Sequence, residues 1–335
     1  MVKNSIFAVA VFFITALFSS CDFSDVKTSS SGKPGEIIIV ADSLVLKGEA
    51  GIILRDSLGQ AFPGVPQYEP VFTTVTIPHA NFRNILQAHR NVLMIEIGPV
   101  SGNKDYALTF KRDVWATPQL VMNLRAKDAS YLQAALLSFT GTIVKQFSDE
   151  ERFRAAEGLK QLPETEVGTL VQKEMKFFMP LPAEYYIARQ KNGYMWLRKE
   201  TANTSQGFQM LRLPYITDTV FQSNALIYLR DSLCKANIPG PAAGSYMVTD
   251  YNFPVTVESM KIDSCYGVAI RGLWRTEGDF MGGPFVTYAF LDEKKQEVVF
   301  IDSYTYAPKF DKREYVKAME AMIFAIRLNE NRIKD

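Results

Sequence analysis

The chain has 335 residues, 47% of them apolar, with 37 basic against 36 acidic side chains and a formal net charge of +1. That balance leaves no summed field to attract nucleic acid or an anionic surface, while the apolar content suits a packed core of one large or two ordinary domains of about 100–200 residues each. With only two histidines, and three cysteines that lack zinc spacing, no metal and no cofactor is expected.

The amino terminus reads as an address. Lys3 precedes an apolar run from Ile6 to Phe18, then Ser19, Ser20 and Cys21, the layout of a bacterial lipoprotein signal over residues 1–21. The run is shorter than the roughly 20 residues a spanning helix needs, and Asp22, Ser24, Asp25 and Lys27 follow at once. Diacylation of Cys21 would anchor the protein to a membrane, with the outer membrane of the cell envelope, facing periplasm or surface, as the expected place. Phe18 stands where such sites usually carry Leu, so plain secretion is the alternative. Residues 22–34, with Ser29, Ser30, Ser31 and Gly32 in a row, form a flexible tether.

A first α+β half is expected over residues 35–165. Strands are predicted at Glu36–Val40, Val71–Ile77, Asn91–Ile97, Ala107–Arg112 and Gln119–Arg125. Ser43–Gln60 reads as helix interrupted at Gly48 and Gly51. Asp128 caps a long helix through Phe147, and Ser148–Leu162 reads as another. Residues 166–207 form a connecting segment whose strands flank an Asn192-Gly193 hairpin turn. In the second half, 208–335, strands are predicted at Phe208–Leu213, Val255–Lys261, Tyr266–Trp274, Val286–Leu291 and Glu297–Ser303, and a closing helix carries Asp311 and Glu314 at capping-box spacing.

The chain also repeats short patterns. Arg55-Asp56-Ser57-Leu58 is followed by Ala61, Pro63 and Gly64, and Arg230-Asp231-Ser232-Leu233 by Ala236, Pro239 and Gly240. Asp113-Val114-Trp115-Ala116-Thr117-Pro118 matches Asp279-Phe280-Met281-Gly282-Gly283-Pro284 in type and order. The reading is a diverged tandem duplication: two similar halves of class α+β, with mostly antiparallel sheets and helices packed on one face.

His89-Arg90-Asn91, Pro118-Gln119, Ile238-Pro239-Gly240-Pro241, Gly272-Leu273-Trp274 and Asp279-Phe280-Met281-Gly282-Gly283-Pro284-Phe285 resemble domain-of-unknown-function family 4837 from about Gly32 to the end. The resemblance implies a Gram-negative envelope lipoprotein and assigns no activity.

Candidate functional residues follow from chemistry and position. Arg271, Trp274, Arg275 and Asp279 beside Gly282-Gly283 would line a polar cleft that grips a carboxylate, a sugar or a peptide end, and Trp115 would face the same interdomain groove from the other half. Gly282-Gly283-Pro284 reads as a turn or bulge, or as a close approach to ligand. His89, with Arg90, is the one candidate for a base, a ring bonded to a backbone carbonyl being the plainer account. Asp149-Glu150-Glu151 and the Asp292–Lys295 tip read as solvated surface. Cys234 and Cys265 are an even pair open to a disulfide, or two separate thiols. With no Gly-x-Ser-x-Gly elbow and no phosphate cradle, the expected function is a non-enzymatic module binding an envelope protein or ligand. The alternative is an envelope hydrolase or transferase using carboxylates or His89.

Overall fold

The computed structural model describes residues 27–191 and 193–328; the signal segment, Cys21 and Asn192 lie outside the described residues. In chain order the N-terminal part carries β1 (Thr28–Ser29), β2 (Glu36–Val40), α1 (Ser43–Lys47), α2 (Glu49–Leu58), β3 (Thr73–Ile77), β4 (Asn91–Ile97), β5 (Tyr106–Arg112), β6 (Ala116–Thr117), β7 (Leu120–Ala126) and α3 (Ala129–Leu159). The C-terminal part carries α4 (Glu166–Met175), β8 (Tyr186–Lys191), β9 (Tyr194–Glu200), β10 (Ser205–Pro214), α5 (Ser223–Asn237), β11 (Tyr246–Thr249), β12 (Thr256–Ile262), β13 (Cys265–Glu277), β14 (Gly282–Asp292), β15 (Glu297–Tyr306) and α6 (Arg313–Phe324).

The contiguous run Ile37-Ile38-Ile39-Val40 makes β2 apolar on both faces, as a strand inside a covered parallel sheet must be. The first sheet has order β3-β2-β4-β7-β5, parallel except for β5 on β7. Ile37, Ile39 and Leu93 face α2 and α3, whereas Ile38, Val40 and Val92 pack under Phe82 and Trp115. The second sheet is antiparallel, order β11-β13-β14-β15-β10-β9-β8, with β12 also on β13. Its alternation is strict: Val268, Ile270, Phe285, Phe300 and Tyr304 point toward α5, while Ala269, Val286, Tyr288, Phe290 and Ile301 point toward α3 and α6. A single hydrophobic cluster runs from Ile37 and Leu93 through Leu136 and Phe147 to Tyr288, Ile301, Met319 and Ile323, so both sheets close on one shared core.

The class is α+β and mostly antiparallel, but the tandem duplication is not what the chain forms. β2 and β3, joined through α1 and α2, lie side by side and parallel, whereas β10 and β11, joined through α5, are separated by β15, β14 and β13. The repeated tetrapeptides both sit on helices, Arg55 exposed and Arg230 fully buried. Four-residue matches encode a helix and its stop; they do not encode which strands pair, because pairing is a long-range choice. Helices also cover both faces of the second sheet, since β9, β10 and β13–β15 are apolar on both sides. The segment 166–207 is no mere connector, because β8 and β9 are strands of the second sheet.

Two local signals were replaced by others. Asp128 caps α3, its carboxylate accepting from Tyr131 N at 3.0 Å, but that helix continues unbroken over 31 residues and absorbs the one expected from Ser148. The start of α6 uses no Asp311–Glu314 box. Glu69, 243 residues upstream of Lys312, accepts from the Lys312 and Arg313 amides at 2.7 Å each. A carboxylate at a helix N-terminus satisfies orphan donors wherever it comes from, so the cap doubles as a tie between the two parts.

Candidate functional site

The predicted groove residues are distributed over three places. Trp274 is buried on the α5 face of the second sheet, its indole donating to the Thr305 carbonyl at 3.3 Å and lining a groove of about 550 Å³ with Trp196, Met281 and Tyr304. Trp115 lies instead on the outer face of the first sheet, edge-on to Phe82 at 5.4 Å between centroids. The shared aromatic groove is therefore corrected: the two tryptophans line different surfaces because the halves are not related by a repeat. Arg275 pairs with Glu277 at 2.6 Å, and Asp279 bonds the amide of Phe280, a wholly exposed ring at the β13–β14 turn. A Cβ on Gly283 would stand 2.1 Å from the Thr305 carbonyl, so this glycine permits close backbone approach inside the protein rather than to a ligand. Gly282 opens β14 and pairs with Arg275.

Cys234 and Cys265 are separate thiols, on the α5 face and on the opposite face of the second sheet respectively, with the sheet between them. Burial pushes the Cys234 thiol up to about 12, which makes it inert.

His89 has both ring nitrogens engaged, Nδ1 with the Asn91 carbonyl at 2.9 Å and Nε2 with Glu36 Oε2 at 3.1 Å. It fastens the N-terminal segment to β4. The bond from His89, then the Lys33 amide, holds the Glu36 carboxyl below the usual range. A depressed carboxylate contributes stability that is present above its unfolded value of about 4.3 and is lost as pH falls through the lower folded value. His89→Gln is therefore expected to flatten the acid limb of the stability curve below about pH 4.3; equal limbs in wild type and variant, measured by denaturant titration across that range, would refute the clasp.

Behind this clasp, two members of the acidic cluster read as solvated surface, Glu150 and Glu151, prove buried, while Asp149 stays half-exposed. Glu151 Oε1 accepts from Asn91 Nδ2 at 2.8 Å and from Arg154 Nη1 at 2.6 Å and pairs with Arg90 Nε at 3.0 Å, while Oε2 accepts from the Gly35 amide at 3.1 Å. Glu150 pairs with Arg112 at 3.0 Å and approaches Arg154 at 3.6 Å. Asp292, likewise expected at an exposed tip, is buried against Arg212.

The feature that both parts build together is a cleft of about 670 Å³ between the 60–72 loop, α3, β12–β13 and α6. Phe62, Phe72, Val71 and Val144 supply apolar wall, and Arg271 is the one predicted residue that reaches it. Arg271 donates to Glu320 Oε1 through Nε and Nη2 at 2.9 and 2.7 Å, and to Glu258 at 2.9 Å; Tyr288 donates to the same Glu320 oxygen at 2.8 Å. Burial works to raise the Glu320 pKa, but the Arg271 charge prevails and holds it below the carboxylate range. At the mouth Asp149 joins Lys145 and Arg152. Lys317 is different: its ammonium is 5.7 and 5.8 Å from the Phe62 and Phe72 ring centroids, 3.4 Å from the Val71 carbonyl and 3.8 Å from Glu314. Burial pulls its pKa below the usual lysine value. Sequence reasoning missed Phe62, Phe72 and Lys317, because two segments distant in the chain, the 60–72 loop and α6, supply them.

Residues 164–325 match the family described as Domain of unknown function (DUF4837), and residues 30–160 match a second, Domain of unknown function (DUF8532). The resemblance to family 4837 thus narrows to the C-terminal part, and His89-Arg90-Asn91 and Pro118-Gln119 fall within the other match. No curated protein matches the chain. Among solved structures, LpqN of Mycobacterium tuberculosis, described as involved in cell envelope biogenesis, aligns at 11% identity and TM-score 0.29 over 45% of this chain and 81% of its own. The Saccharomyces cerevisiae Ran-binding protein Mog1p aligns at 9% identity and TM-score 0.27, covering 45% of this chain and 80% of its own. Scores this low carry no functional inference.

Proposed function

We propose that this chain, which matches the DUF4837 family over residues 164–325 and the DUF8532 family over residues 30–160, is a non-enzymatic binding module of the cell envelope, tethered by a lipid on Cys21. The observation that carries the binding reading is the cleft, whose walls come from both family segments and whose acids are closed into ion pairs. A catalytic acid and base need environments that push their pKa values apart and a substrate between them. Here Glu151, Glu320 and Asp149 each hold a guanidinium instead. His89 has no ring nitrogen left for a hydroxyl, which favours binding over the hydrolase reading. The address rests on Lys3, the Ile6–Phe18 run and Cys21; among the described residues no helix is long and apolar enough to cross a membrane.

The test is crosslinking of the tagged protein in cells, wild type against Ala318→Trp. Ala318 is exposed on α6 and lines the cleft, so an indole there fills the space without entering the core. A species captured by wild type and lost in the variant is the expected result. Capture that is identical in both removes the cleft, and turnover of an envelope polymer by the purified protein, abolished by His89→Ala, would replace binding by catalysis.

A further inference from the structure

We infer that the cleft between the 60–72 loop, α3, β12–β13 and α6 takes a single-chain amphiphile with a carboxylate head, the head at the Lys317 ammonium and the chain along Phe62, Phe72 and Val144. The inference deepens the binding reading above and rests on it. A volume of about 670 Å³ lies within the range of small-molecule sites, roughly 300–1,000 Å³, and holds an acyl chain with room for its head. The walls nearest Lys317 are two phenyl rings, which recognise apolar bulk and nothing else, and the Val71 carbonyl, which accepts from the ammonium at 3.4 Å. Among the described cations of the cleft, Lys145 and Arg152 hold Asp149 and Arg271 holds Glu320 and Glu258, all within 3.3 Å. Lys317 alone of these four stands farther than that from its nearest carboxylate, 3.8 Å from Glu314. A poorly solvated ammonium with donors to spare gains most from an anion that displaces the water around it.

The same inventory selects among ligands. A cationic head would meet Lys317 and find its nearest carboxylate, Glu314, already held by Arg313 at 2.8 Å. A peptide would need spaced, free donors and acceptors for its backbone, and the other charged groups named here are spent on one another. A neutral chain would fill the cleft but leave the ammonium with no partner beyond the Val71 carbonyl at 3.4 Å and Glu314 at 3.8 Å.

The test is calorimetric titration of the mature chain carrying Cys21→Ser, free of detergent, with laurate, lauryl alcohol and dodecyltrimethylammonium, each below its micellar concentration. Laurate should bind at least about tenfold more tightly than the alcohol, the worth of one hydrogen bond to a charged group, and the ammonium amphiphile should not bind. Lys317→Met, its fold checked by circular dichroism, should keep alcohol binding and lose the laurate preference, whereas Lys317→Arg should keep both. The preference should also fade as pH rises, before an ordinary lysine loses its proton, because burial lowers the Lys317 pKa. Equal affinities for laurate and alcohol, a preference that survives in Lys317→Met, or no binding of any of the three overturns the inference. If none of the three binds while Ala318→Trp still loses its cellular partner, the amphiphile fails and the binding module stands; if that loss is also absent, both fail.

Discussion

Arg230→Met is expected to lower the stability of the protein by about 3–5 kcal/mol, the cost of stranding a buried charge, seen as a lower urea midpoint with an unchanged slope. Arg230 and Asp302 are both fully buried between α5 and the second sheet, Nε to Oδ1 at 3.0 Å. Thr287 Oγ1 donates to the same oxygen at 2.7 Å and Gln209 Nε2 to the other at 2.9 Å. The guanidinium also donates to Thr249 Oγ1 at 3.1 Å and to Asp231 at 3.2 Å, and its carbon lies 3.8 Å over the Phe285 ring. Burial acts to lower the Arg230 pKa, yet the Asp302 charge outweighs it and the value rises, so the pair keeps its charges in the interior. Methionine fills part of the volume and leaves Asp302 facing two neutral donors without a counter-ion. Arg230→Met with Asp302→Leu removes the charge as well as its partner, and most of the loss should return. A single variant within about 1 kcal/mol of wild type, or a double variant no better than the single, would show that the pair is not what fixes α5 on the sheet.

The two charged helical tetrapeptides show how far the sequence reaches. Strand positions such as Glu36–Val40 and Asn91–Ile97 were legible to the residue, because alternation and contiguous β-branched runs are local consequences of which faces are covered. The Asp128 cap was legible for the same reason. Pairing was not: nothing within Glu36–Val40 states that β4 lies parallel beside it, and the matching Arg-Asp-Ser-Leu segments hid the difference between an exposed Arg55 and a buried Arg230. The candidate site was legible only at Arg271. Glu150 and Glu151 looked like a solvated run, although their spacing to Arg154, four and three residues on, carried a hint that charge on one helical face was already matched. Lys317 sits within the apolar stripe of α6 and gave no sign of its isolation, which depends on Phe62 and Phe72 some 250 residues away.

Glu151→Ala should be the second costly change, about 3–5 kcal/mol by the same reasoning, with Glu151→Gln costing less because an amide oxygen still accepts from Asn91 and Arg154. Removing the carboxylate leaves Arg154, which is buried, with Glu150 at 3.6 Å as its one remaining counter-ion beside the neutral Asn91 Oδ1 and Arg90 carbonyl, and leaves Arg90 with none of its ion pair. Burial already lowers the Arg154 pKa against the pull of Glu151, so the guanidinium has little solvent to fall back on. The damage should not spread evenly. Glu151 receives the Gly35 amide at the start of β2 and the Asn91 amide group at the start of β4, and it also lines the cleft. Hydrogen exchange should therefore accelerate first at Gly35 and along β2, while β13–β15 keep their protection, since subglobal opening follows the contacts that are lost. Uniform acceleration across both sheets would mean that Glu151 supports the shared core as a whole. Selective loosening would place the cleft wall on a segment stitched down by one carboxylate, so that the same residue that holds β2 in place also sets the shape of the space that Lys317 faces.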